Sequence, residues 1–159
     1  MSECFALPRN NFLVVNDFYM TLIEILKENR LMHTEREVAK FENALAEIAN
    51  NPNQEDLPEY HLILDDKCQQ PEVMFALVHF LESFELETQL MAFLKVIPQL
   101  AMNAPEWTKI LHNRILNDET ACNAYLKILR SLNSEKPHFL YYLLEESAAN
   151  NLNREIVNC

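Results

Sequence analysis

Two stretches of this chain repeat each other. The first is Glu87-Thr88-Gln89-Leu90-Met91-Ala92-Phe93-Leu94-Lys95-Val96-Ile97, and 32 residues on comes Glu119-Thr120-Ala121-Cys122-Asn123-Ala124-Tyr125-Leu126-Lys127-Ile128-Leu129. Both place apolar residues at helical spacing. A shared leucine-rich face would explain that spacing, but it would not bring back Glu-Thr and the lysine in the same phase. Upstream of each stretch a proline marks a helix start, at Pro71-Glu72 and Pro105-Glu106, and Pro137 does so again. Leu77, Leu111 and Leu143 each follow six positions after one of these prolines.

A unit of this length that recurs in register predicts tandem helical hairpins, each burying one face against the next. The expected fold is therefore all-α. It is read as a short α-solenoid of stacked antiparallel hairpins, HEAT/armadillo-like, with about 8 helices in a single domain over 1–159. Residues 1–70 form N-terminal acidic helices, and the repeats span 71–104, 105–136 and a truncated 137–159. Pro98 is expected to kink or end its helix near Val96–Ile97.

The composition agrees, since the chain contains no glycine. Glycine supplies the positive φ of tight hairpin turns and the close approach of phosphate-binding loops. Its absence argues against a hairpin-rich β fold and removes the P-loop and the dinucleotide fingerprint. Asparagine is expected to take the left-handed positions at helix ends. Asn29, Asn50, Asn51, Asn103, Asn117, Asn133, Asn150 and Asn151 all fall where an apolar pattern stops. In the first part, Asn16 or Asp17 can cap a helix running to about Glu28. Thr34 and Glu37 form a capping box for a helix through Ile48, and Pro58 opens a short helix over Glu59–Leu64.

The four cysteines, Cys4, Cys68, Cys122 and Cys159, are widely spaced and are expected as free thiols. No apolar run reaches the ~20 residues of a membrane span. The first residues lack the pattern of a secretory signal, so a cytoplasmic location is expected.

Charge is distributed unevenly. The net charge is −11, and residues 1–90 carry all of it, with 17 acids against 6 bases. From Glu47 to Glu87 the only base is Lys67. Such a field repels nucleic acid and anionic membranes, and it steers a basic protein partner inward.

Catalytic patterns are weak. Asp65-Asp66 begins like the metal-binding DDxxD of helical terpenoid enzymes, but Gln69 stands where the third carboxylate belongs. His79 and Glu82 have an i, i+3 spacing that a metal could use, without the second copy that a di-iron bundle needs. A buried or half-buried hydrogen bond between them is the expected reading. His33, His61, His112 and His138 stand alone, and Cys122 falls on an apolar helix face. Neither a cofactor nor a metal is expected, and no enzyme activity. Trp107 is expected to pack between repeats.

Several segments together are similar to a known family. They are His79-Phe80-Leu81-Glu82-Ser83-Phe84, Leu94-Lys95-Val96-Ile97-Pro98-Gln99-Leu100, Ala104-Pro105-Glu106-Trp107 and Arg114-Ile115-Leu116-Asn117. Over about residues 70–120 the chain resembles the all-helical immunity proteins of bacterial polymorphic-toxin and contact-dependent growth inhibition systems. The resemblance implies a non-enzymatic cytosolic protein that binds a cognate toxin domain and blocks its active site or substrate access. It also implies that His79, Trp107, Arg114 and Asn117 are fold determinants, with Arg114 pairing an inward carboxylate.

Many such toxins are nucleases with basic clefts, RNases among them, which fits the acidic field. The expected partner-facing carboxylates are Glu55, Asp56, Glu59, Asp65, Asp66, Glu82, Glu85 and Glu87. A solenoid adaptor that binds a basic or helical segment of a non-toxin protein is the alternative.

Overall fold

The structure is a computed structural model. It describes residues 12–15 and 18–131, with side chains from residue 20 onward. The described residues begin with two short antiparallel strands, β1 (Phe12–Val15) and β2 (Phe18–Thr21), with Val15 opposite Phe18 and Phe12 opposite Thr21. Seven α-helices follow among the described residues: α1 (Leu22–Asn29), α2 (Glu35–Asn50), α3 (Leu57–His61), α4 (Pro71–Glu82), α5 (Leu86–Asn103), α6 (Pro105–Asn117) and α7 (Glu119–Ser131). A single 3-10 turn, Gln54–Asp56, precedes α3. The fold class is all-α, as expected.

The strand pair corrects the expected helix from Asn16 or Asp17. That helix begins only at Leu22, because Thr21 closes a full capping box. Its hydroxyl accepts the Glu24 amide at 3.1 Å, and Glu24 accepts the Thr21 amide at 2.7 Å. Thr34 caps α2 by accepting the Glu37 amide, but Glu37 reaches one residue further back, to the His33 amide at 2.6 Å.

Asparagine ends four helices as expected, at Asn29, Asn50, Asn103 and Asn117. None of them is left-handed. The described residue with positive φ is Met32, at 53°. Asn29 works differently: it is buried, and its side-chain amide bonds back to the Ile25 carbonyl one turn earlier, at 2.7 Å.

Pro98 also departs from expectation, since α5 continues through it to Asn103. The proline is exposed, while Leu90, Phe93, Ile97 and Leu100 on the opposite side are all buried. Each buried large apolar side chain contributes about 1.5–3 kcal/mol, so the stripe outweighs the ~3 kcal/mol cost of an interior proline.

The repeat expected at 71–104 and 105–136 corresponds to two helix pairs, α4–α5 and α6–α7. Both first helices open on their prolines, and Leu77 and Leu111 are both buried. Near the helix starts, Phe75 of α4 meets the Trp107 ring of α6 edge-on at 5.0 Å. Near the ends, Glu82 of α4 meets Arg114 of α6. Two contacts with the same 32-residue offset, at opposite ends, mean that α4 and α6 run side by side in the same direction. α5 packs on α3, α6 and α7. One contiguous core runs from Leu22 to Ile128. The third unit at 137–159, with Pro137, His138 and Leu143, lies outside the described residues, as do Asn133, Asn150, Asn151, Cys4 and Cys159.

The cysteine expectation needs correction. Cys68 is free and buried, but Cys122 is disulfide-bonded. Among the described residues no helix is long and apolar enough to cross a membrane.

Candidate functional site

Asp65 and Asp66 sit in the turn between α3 and α4, where backbone geometry aims them at other helices. Asp65 Oδ2 accepts from Arg30 Nε at 3.0 Å, and Asp65 Oδ1 accepts the Lys67 amide at 2.9 Å. Its carbonyl accepts the Trp107 indole N–H at 3.1 Å. Arg30 is steadied in turn by donating to the Lys27 carbonyl. Asp66 accepts the amides of Glu106 and Trp107 at 3.0 and 3.1 Å. α6 begins at Pro105 after Ala104, which offers no side-chain cap, so Asp66 supplies the missing N-cap from a distant part of the chain. Trp107 is 5% exposed and packs between α4 and α6, as expected.

A second junction forms at the opposite ends of these helices. Arg114 grips Glu82 with both arms, Nε to Oε1 at 2.5 Å and Nη2 to Oε2 at 2.8 Å. The guanidinium holds the Glu82 carboxyl below the usual carboxylate range, and the carboxylate raises the Arg114 pKa in return. Arg114 therefore pairs with a carboxylate, but a partly exposed one rather than the inward one expected. His79 lies on the same carboxylate at 3.6 Å, too far for a hydrogen bond, and its side chain is exposed rather than buried.

Just beyond, Glu85 caps α5, accepting the amides of Glu87 and Thr88 and the Thr88 hydroxyl at 2.9–3.0 Å. These backbone bonds lower the Glu85 carboxyl as well. Asp118 caps α7, accepting the Ala121 amide at 2.8 Å.

The ends of α4 and α6 and the starts of α5 and α7 thus converge on one groove of about 460 Å³. It is lined by Leu86, Ile115 and Ala121 on its apolar part and by Glu82, Gln89, Arg114, Asn117 and Asp118 on its polar part. The sequence pointed to Glu82, Arg114 and Asn117. It missed Leu86, Gln89, Ile115, Asp118 and Ala121, although Asp118 standing directly before the repeated Glu119-Thr120 was a readable cap signal.

The eight carboxylates expected to face a partner therefore divide. Asp65, Asp66, Glu82 and Glu85 are held by Arg30, the α6 amides, Arg114 and the α5 amides. Glu59 makes an exposed ion pair with Lys27 at 3.1 Å, and Asp56 accepts from the Asn53 side-chain Nδ2 at 3.2 Å. Glu55 and Glu87 are exposed, with no side-chain ion pair among the described residues.

Inside the core two histidines are kept neutral. Burial pushes both His61 and His112 down to about 4. His61 Nδ1 lies 2.8 Å from the Leu57 carbonyl, and its ring stacks on Phe93. His112 Nδ1 lies 3.2 Å from the Tyr125 hydroxyl, while its Nε2 has no partner among the described residues. Among the described residues no group of three or more His, Cys, Asp or Glu could hold a metal ion.

No curated protein and no solved structure matches the chain. A family model described as immunity protein 30 does match, over residues 28–125. That span begins inside α1, ends at Tyr125 in α7, and takes in both junctions and the groove. Covering well over half of the sequence, the match places this chain in the Immunity protein 30 family.

Proposed function

We propose that this protein binds and neutralises a cognate toxin domain, and that it does so by covering a basic active-site or substrate cleft, most simply that of a nuclease. Family membership supports the toxin partner. The observation that carries the finer reading is the set of exposed carboxylates, Glu55, Glu59 and Glu87, with half-buried Asp56 beside the first; Lys67 is the one base between Glu47 and Glu87, and Lys27 pairs with Glu59. An excess of one charge sign on a protein surface speeds encounter with a basic partner and discriminates against others.

The surface is preformed: the helices behind it are capped, cross-tied and packed on a continuous core. Association therefore orders little chain, and less of the contact energy is lost to ordering. Stacked hairpins continuing as an α-solenoid would extend the same surface.

The test is co-expression with the toxin domain encoded by the adjacent gene in a cytoplasmic host, scoring growth and co-purification. Rescue accompanied by a stable complex is expected. Reversal of Glu55, Glu59 and Glu87 to lysine is expected to weaken both while leaving the fold intact. Rescue without a complex would contradict occlusion. Absence of rescue, together with capture of a non-toxin protein that carries a basic segment, would favour an adaptor instead.

A further inference from the structure

The groove where the two helix pairs turn has a composition that neither junction accounts for. Its polar lining includes Gln89 and Asn117, whose side chains make no hydrogen bond among the described residues. Asp118 uses Oδ1 for the α7 cap and leaves Oδ2 without a partner there. Between these groups lie Leu86, Ile115 and Ala121. Amide and carboxylate oxygens beside an apolar wall suit a long side chain with an aliphatic stem and a polar head.

The electrostatics give the sign of that head. Residues 82–89 and 114–121 carry Glu82, Glu85, Glu87, Asp118 and Glu119 against Arg114 alone. Arg114 spends Nε and Nη2 on Glu82, and that carboxylate balances its charge. The starts of α5 and α7 would ordinarily attract an anion, but Glu85 and Asp118 already fill that role. What remains is the negative end of two helices, α4 and α6, with unpaired oxygens and an acidic surround.

We infer that this groove is the anchor pocket for a basic side chain, arginine by preference, projecting from the cognate toxin domain. Its stem lies along Leu86 and Ile115, and its guanidinium donates to Asp118 Oδ2 and to the side-chain oxygens of Gln89 and Asn117. Arginine fits because its planar head carries five donors in fixed directions, matching several acceptors at once. A pocket of about 460 Å³ is ample for one such side chain and its neighbours. Interfaces commonly concentrate their energy in an arginine or aromatic anchor that fills a pocket. This inference rests on the toxin-neutralising reading and narrows it to one place.

The experiment uses the full chain and the toxin domain encoded beside it, with affinity measured by titration calorimetry. Gln89→Arg places a competing guanidinium in the groove from within, and is expected to weaken binding about tenfold or more. Asn117→Leu removes an acceptor without adding charge, and is expected to weaken it less. Both variants are checked for an unchanged thermal midpoint. Should Gln89→Arg lower that midpoint, Asn117→Leu and Gln89→Leu decide the matter, since neither puts a charge in the groove.

Substitution of each exposed arginine of the toxin domain to alanine is expected to reveal one whose loss is not additive with Gln89→Leu. Full affinity in all groove variants, with wild-type binding intact, overturns the anchor while leaving the immunity reading standing. No binding by the wild-type chain overturns both.

Discussion

Asp66 caps a helix that starts far along the chain from it: its Oδ1 accepts the amide of Trp107, 41 residues later, at 3.1 Å. The neighbouring Asp65 carbonyl takes the indole N–H of the same tryptophan. One turn thus holds both the backbone and the side chain at the start of α6. A cap of this kind has the energetics of a local one, but it also fixes where two helix pairs sit relative to each other.

Asp66→Ala removes the acceptor and exposes two orphan amides. Denaturant unfolding is expected to show a loss of about 1–2 kcal/mol, with Asp66→Asn losing less because an acceptor oxygen remains. Equal losses for the two variants would mean that the charge, and not the hydrogen bonds, supplies the stability.

Glu82 and Arg114 are both partly exposed, at 30% and 39% of their side chains, so solvent screens them. A double-mutant cycle with Glu82→Gln and Arg114→Gln is expected to give a coupling of about 1 kcal/mol or less. The Glu82 carboxyl lies below its ordinary 4.5, so this contribution is present at neutral pH. It is lost as the pH falls below that value, when the carboxylate protonates.

The buried histidines make acid destabilising sooner. Unfolded imidazoles bind protons below about 6.5, whereas His61 and His112 in the fold wait until about 4. Across that window the unfolded state holds more protons, so stability drops as the pH is lowered. Each histidine is expected to contribute a slope of about 1.4 kcal/mol per pH unit at its steepest. Urea midpoints at a series of pH values between 7.5 and 4 measure the sum, and His112→Gln should flatten the curve.

Met32 holds a left-handed backbone at φ 53° while its side chain is 1% exposed. Met32→Leu keeps the volume and is expected to cost under about 1.5 kcal/mol. Met32→Val is expected to cost more, since a β-branched residue is an outlier at positive φ and leaves a void. Thermal unfolding distinguishes the two.

Lysine reversals at Glu55, Glu59 and Glu87 should act on association rather than on folding. Stopped-flow mixing with the toxin domain is expected to show a slower on-rate at low salt, by about tenfold, with the difference shrinking as ionic strength rises. A change confined to the off-rate would place these residues inside a desolvated contact.

Much of the frame was legible because repetition, caps and prolines are local signals. Pro71 and Pro105 opened α4 and α6, Thr34 opened α2, and Trp107 packed between the repeats. The errors share one cause: each was decided by partners distant in sequence or by a competing local bond. Pro98 stayed inside α5 because a buried stripe outweighs one missing hydrogen bond. Met32 took the left-handed position because the turn needs one there and no glycine is available. Thr21-x-x-Glu24 was as readable as Thr34-x-x-Glu37, but the apolar pattern beginning at Phe18 masked it.

At the candidate site, acid content was visible and acid employment was not. Asp66 and Glu85 look as free in the sequence as Glu55 and Glu87. Only the fold shows that the first two serve helix starts.

The paired contacts Phe75–Trp107 and Glu82–Arg114 keep neighbouring units in step from behind, while the α4–α5 and α6–α7 turns emerge together at one border. Glu82 and Arg114 on that border form a rung and Glu85 and Asp118 cap helices, but residues there without such ties, Gln89 and Asn117 among them, can change without disturbing the register. On the proposed reading, two descendants of one chain can thus keep the same frame and come to refuse each other's partners, with discrimination altered at a few such turn positions.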